Sequence, residues 1–186
     1  MRHAFCLTLL IAASLILQAA LIPAFLPAVL RPDVCLMIGI ALLSFGSREF
    51  GLTGIFLLGL NADMVGSGRF GLLTLCYLLA AGAVLLTFSR ELNRSDFGLP
   101  CIAAISATAL AHGLYCGIGS VLGLGIGLGR AAGETLSLFV AAIVWSLPCI
   151  WLTGKLMFHL RVMAPEVQAR WANDERMSDM NRRHAA

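Results

Sequence analysis

Charged side chains are scarce in this chain: Asp, Glu, Lys and Arg make up 12% of its 186 residues, against about 25% in soluble domains. That scarcity excludes an ordinary soluble enzyme, and equally a disordered chain, which stays solvated through its charge. No C-x-x-C pair occurs among the six cysteines, so neither a zinc ribbon nor a disulfide-stapled secreted domain is expected. Sequences of the G-x-S-x-G, H-E-x-x-H and P-loop types are missing too. The net charge of +3 is small and points to no nucleic-acid partner. What is present is apolar. Hydrophobic residues are 59% before the 19 glycines are counted, and mean hydropathy is +0.89. Soluble domains reach only about 45–50% with glycine included. The solvent of this chain is therefore mostly lipid.

Charge-free gaps locate the membrane segments. Residues 3–30, 70–89, 97–129 and 135–154 contain no Asp, Glu, Lys or Arg. Each is long enough to cross about 30 Å of hydrocarbon, which takes ~20 residues at 1.5 Å each. Two shorter gaps, 34–47 and 50–62, flank Arg48–Glu49. One long helix over 34–62 would bury that pair near the bilayer centre at a cost of several kcal/mol. Two short helices meeting at Arg48–Glu49 avoid it. The expected helices are 4–30, 34–46, 50–65, 70–88, 99–124 and 136–160. Their connections are Arg31–Asp33, Ser47–Glu49, Gly66–Arg69, Ser89–Gly98 and Gly125–Thr135.

With six spans and the N-terminus inside, the inner side holds Arg2, Arg48, Arg90, Arg94, Lys155, Arg161, Arg170, Arg176, Arg182 and Arg183. The outer side holds only Arg31, Arg69 and Arg130. That bias satisfies the positive-inside rule with both termini cytoplasmic, whereas five spans would put the basic tail outside. The first segment resembles a secretory signal near Ala19–Ala20, but its apolar run continues through Pro23 and Pro27 to Leu30, so it is read as a retained span. The expected organisation is a six-helix transmembrane domain over 1–160 and a cytoplasmic tail over 161–186. The tail either forms a short helix around Pro165–Met177 or is disordered.

Candidate chemistry is sparse. The cysteines lie almost entirely in apolar segments and are expected to pack as small hydrophobes. His112 is the one mid-span histidine, and without a second ligand on its helix face it is read as a buried polar contact, not a metal ligand. Gly66-Ser-Gly-Arg-Phe-Gly71 matches G-x-G-x-x-G but follows a membrane helix, not a strand, so a tight turn explains it better than a dinucleotide. No catalytic residue, metal or cofactor is expected. Gly119, Gly123 and Gly127 recur every four residues and are read as a smooth stripe for helix packing, within the bundle or against a partner. Asp33, Asp63 and Glu134 share the expected outer rim with Arg31, Arg69 and Arg130, where pairing is the usual solution. For Asp63 the favoured roles are capping the next helix or pairing with an arginine.

The stretch from 31 to 80 has a recognisable order of motifs. It reads Arg31-Pro32-Asp33 before an apolar helix, then Gly59-Leu-Asn-Ala-Asp63, the turn Gly66 to Gly71, and Leu75-Cys-Tyr77. This resembles the rod shape-determining protein MreD family, over a little more than a quarter of the chain. Asn61 departs from the pattern, being polar where the family is usually apolar, and the tail and the Gly119–Gly129 run are not family features. The resemblance implies a non-enzymatic subunit of the bacterial inner (cytoplasmic) membrane, acting in the elongation complex that directs peptidoglycan synthesis and rod shape. It implies partnership with the periplasmic anchor protein MreC. MreB, RodZ, RodA and a penicillin-binding protein would belong to the same complex. It also implies an all-α fold similar to the six-helix substrate-binding subunit of energy-coupling-factor transporters. Pro32, Asp33, Gly59, Asp63, Gly66, Gly71 and Tyr77 would then be structural or partner-binding residues.

A second class stays open: the substrate-binding membrane subunit of a vitamin or ion transporter. It predicts a polar pocket near the outer face where Gln18, Asn61, Asp63 and His112 converge. A scaffold predicts a filled, apolar interior.

Overall fold

Among the described residues up to 160, six helical units occupy the charge-poor stretches. The structure, a computed structural model, describes residues 2–27, 31–65, 70–88, 98–123 and 128–160, together with 162–165, 167–169 and 171–172 of the tail. Among the described residues there is no strand. The first unit is α1 (Arg2–Ile16), a π-helical stretch (Leu17–Leu21) and α2 (Ile22–Phe25). There follow α3 (Val34–Phe45), α4 (Arg48–Val65), α5 (Leu72–Phe88), α6 (Gly98–Val121) and α7 (Leu128–His159). The stretches Ala4–Phe25, Gly98–Val121 and Gly133–His159 are long and apolar enough to cross a membrane, and α3 and α5 are shorter apolar helices. This composition is that of a helical membrane protein.

Two boundaries, and one stretch within a helix, differ from expectation. The first unit stops at Phe25 and not near residue 30, and Pro27 follows at once. Proline has no N–H to continue a helix and disfavours the helical conformation of the residue before it. Pro23 follows directly on the π-helical stretch and its cap, where Ile22 N–H reaches back five residues to the Leu17 carbonyl. Such wide turns are the usual way around an interrupted ladder. At the other end, α7 begins at Leu128 and so includes Glu134, which the sequence suggested lies in a loop.

Arg48 and Glu49 stand where two helices meet, as expected. Gly46 and Ser47 make the turn, Gly46 N donates to the Leu42 carbonyl, and the Ser47 hydroxyl accepts from Phe50 N. Ser47 thus caps α4, while Ser47, Arg48 and Glu49 are all exposed.

Helix α3 is the centre of the bundle. All twelve of its residues are buried, and it packs on α1, α4, α6 and α7. Around it the chain runs in sequence order, α4 on α5, α5 on α6 and α6 on α7, with α1 against α4. A helix apolar on every side is what such a position demands. Small residues let the hairpin close tightly: a Cβ on Gly51 would lie 2.6 Å from Leu43 Cα, and one on Gly39 would lie 2.7 Å from Ile55 Cγ1. In lipid this packing replaces the hydrophobic drive as the force holding helices together.

The bundle does not end at His159. Val162, Met163 and Val167 are buried, and Ala164 N donates to the Phe45 carbonyl at 2.9 Å. Trp171 packs edge-on against Phe45 and stacks on Phe158, with ring centroids 5.8 and 5.9 Å away. The start of the tail therefore closes the base of α3, and the rest of the tail lies outside the described residues.

Close approach makes a differential prediction. Gly51→Ala should destabilise the protein in detergent by about 1–3 kcal/mol through overpacking against backbone. Gly82→Ala, whose Cβ would meet nothing within 4 Å, should be neutral or stabilising by up to ~1 kcal/mol. Thermal unfolding of the two variants checks the difference.

Candidate functional site

Polar side chains gather at the end of the bundle where α3 begins. Pro32 and Asp33 are buried there, Asp33 with 4% exposure. Asp33 is the N-cap of α3, its Oδ1 accepting from Leu36 N at 3.3 Å. Its Oδ2 accepts from the Tyr77 hydroxyl and lies 3.3 Å from His112 Nε2. One carboxylate therefore ties the start of α3 to α5 and α6. Gln18, on the π-helical stretch, adds a second cap: its Oε1 accepts from Cys35 N at 3.3 Å. The two caps satisfy N–H groups that a buried helix start otherwise leaves orphaned.

A second focus is Asp63, at the end of α4. Its Oδ1 accepts from Leu73 N at 3.0 Å and its Oδ2 from Thr74 N at 2.9 Å and from the Thr74 hydroxyl. Of the roles open to Asp63 in sequence, the contacts show capping of the next helix. A carboxylate there also complements the positive end of α5. Gly71 at φ +89° makes the turn that brings α5 back, a conformation that favours glycine. Gly59 permits the approach, since a Cβ there would lie 2.9 Å from Thr74 Cα. A third focus absorbs the polar departure from the family pattern: Asn61 Nδ2 donates to Ser14 Oγ at 3.1 Å, across α4 and α1, and lies near Cys35.

The three foci differ in what they leave open. Asp63 and Asn61 are turned into helix–helix bonds. The Asp33 focus borders a cavity of about 220 Å³ lined by Gln18, Arg31, Asp33, Tyr77 and His112. A neighbouring cavity of about 290 Å³ shares Arg31, His112 and Leu138 with it and adds Tyr115 and Glu134. Asp33 and His112 could contribute to a metal site, but among the described residues no three such ligands group together. The six cysteines are free thiols.

Two expectations from sequence are corrected. Gly119 and Gly123 do not form a helical stripe. Gly119 is buried in the last turns of α6, whereas Gly123 lies beyond the helix end with φ +72°, its N–H reaching the Ser120 carbonyl. It is a left-handed helix terminator, the common role of glycine after a helix. Gly129 falls in the next helix, and Gly127 lies outside the described residues. Among the described residues, Asp33 and Arg31 do not pair with each other either. Asp33 takes Tyr77 and His112 as partners, and the Arg31 Nε donates to the Leu26 carbonyl at 3.3 Å. Gly66 and Arg69 lie outside the described residues, as does the Arg130 side chain. Ser14 and Thr74 escaped sequence reasoning. Their only signal is a hydroxyl within an apolar helix, which hydrogen-bonds its own backbone just as often.

Asp63→Ala should cost about 2–4 kcal/mol, since it strands two backbone N–H groups and a hydroxyl at a buried helix start. Asp63→Asn keeps a neutral acceptor and should cost roughly half as much. Unfolding of both variants in detergent measures the order, and equal losses would refute the capping role.

No family model, curated protein or solved structure matches this chain.

Proposed function

We propose that the chain is a non-enzymatic subunit of the bacterial elongation machinery of the MreD type. It would span the inner membrane six times with both termini cytoplasmic, in a fold similar to the substrate-binding subunit of energy-coupling-factor transporters. One observation carries the reading: two residues of the resemblance 44 positions apart, Asp33 and Tyr77, meet in a buried hydrogen bond. Gly59 and Asp63, two more of them, hold α4 against the start of α5, the first by leaving room for Thr74 and the second by capping the helix. The motifs thus serve the packing of α3, α4 and α5, which supports reading them as a fold signature.

A filled interior favours a scaffold. Helix α3 occupies the middle of the bundle and is buried throughout. Two of the four side chains that a transporter pocket calls for, Asn61 and Asp63, are spent on helix–helix bonds. The other two, Gln18 and His112, do line a cleft, which keeps substrate binding as the second reading. In the favoured reading an MreC-like anchor meets the bundle through a helix face or the outer rim, with MreB, RodZ, RodA and a penicillin-binding protein assembled around the pair.

Depletion of the protein in its own cells should turn rods into spheres under the microscope, and unchanged shape would refute the proposal. Vitamin binding by the purified protein would instead establish the transporter reading. Reporter fusions at Arg48 and at the C-terminus should both read cytoplasmic, and an external C-terminus would overturn six spans.

A further inference from the structure

The packing around α3 is uneven. Helices α4, α5, α6 and α7 follow one another in close contact, and α1 joins on the α4 side. Between the first helical unit and α7 lies instead a groove of about 300 Å³. Its walls are Leu17, Ile22 and Phe25 on one side and Trp145, Cys149 and Leu152 on the other, all apolar. Both walls depart from regular helix. One carries the π-helical stretch ahead of Pro23, and the other carries Pro148, inside α7. Proline in a helix interior removes a hydrogen bond and displaces the backbone, so the two sides do not mesh.

The groove continues into the polar cleft. Ile22 and Pro32 belong to both, and Arg31, His112 and Leu138 extend the cleft to Glu134. Along α7 the polar wall at Leu138 and the apolar wall at Trp145 are two turns apart, about 10 Å. Groove and cleft adjoin at Ile22 and Pro32, and together they present a charged end and an apolar end. Among the described residues the charged end carries Arg31, Asp33 and Glu134. Asp33 is engaged by Leu36, Tyr77 and His112. Arg31 and Glu134 are both exposed, and no carboxylate among the described residues pairs with Arg31. An occupant that matches both ends carries charge of both signs beside an apolar tail.

We propose that groove and cleft together hold one membrane phospholipid with an ammonium-bearing zwitterionic head group. Its phosphate sits at Arg31, its ammonium at Glu134, and one acyl chain lies in the groove between Ile22 and Cys149. Arginine suits the phosphate through paired N–H donors, and the carboxylate of Glu134 suits the ammonium.

Native mass spectrometry of the full chain, delipidated in detergent and titrated with defined lipids, tests this. Phosphatidylethanolamine should be retained at one per chain, about tenfold more tightly than phosphatidylglycerol. Arg31→Gln should weaken retention of both lipids about tenfold, and Arg31→Lys should recover part of it. Glu134→Gln should abolish the preference between head groups. Cys149→Phe, which fills the groove from a partly exposed position, should weaken retention without touching the head-group site. Soluble glycerophosphoethanolamine should fail to displace the lipid. Displacement by that compound would mean a free phosphate site and overturn the proposal. So would equal retention of the two lipids, or retention unchanged in Arg31→Gln and Cys149→Phe. Cys149→Phe releasing a bound protein while leaving lipid in place would assign the groove to a partner helix and overturn it as well.

Discussion

A helix buried on every side must have both its ends satisfied by the protein itself, and in this fold α3 is that helix. Its first and last residues are buried, so their N–H groups and carbonyls need partners within the protein. At the start the solution is two side chains, Asp33 from the residue before the helix and Gln18 from another segment. At the finish it is the chain folding back, with Ala164 N donating to the Phe45 carbonyl and Trp171 closing over the Phe45 ring. Much else follows from these requirements. The π-helical stretch carries the residue that serves as one cap. Tyr77 and His112 complete the acceptor capacity of the other.

The remaining polar groups act in the same manner, as joints between neighbouring helices. Asp63 joins α4 to α5, and Asn61 joins α4 to α1. Interhelical hydrogen bonds in lipid contribute on the order of 1 kcal/mol each, so no one of them holds the bundle. Their value lies in register. Each fixes how far one helix slides along the next, while glycines such as Gly51 and Gly59 set how closely the axes approach.

Sequence made part of this legible. Charge-free gaps placed the six helical units, because an ionised side chain in lipid is costly enough to act as punctuation. The Arg48–Glu49 turn and the Asp63 cap were readable for the same reason. Gly123 misled, since spacing alone does not distinguish a stripe of small residues from the residue that ends the helix. His112 looked solitary because its partner, Asp33, is 79 residues away in sequence. The closure of the base by residues 162–172 was invisible, since a polar tail shows no periodicity that marks a few apolar side chains for burial.

One dimension has a consequence for the membrane. Helix α3 has 12 residues, about 18 Å of helix, while the hydrocarbon of a bilayer is about 30 Å thick. Of the helices packed on it, α6 and α7 have 24 and 32 residues, enough to cover that depth. The ends of α3 are finished inside the protein, by the fold-back at Ala164 on one side and by Asp33 beside the Arg31 cleft on the other. The long helices α6 and α7, and not the core helix, therefore set the thickness of bilayer that the fold matches.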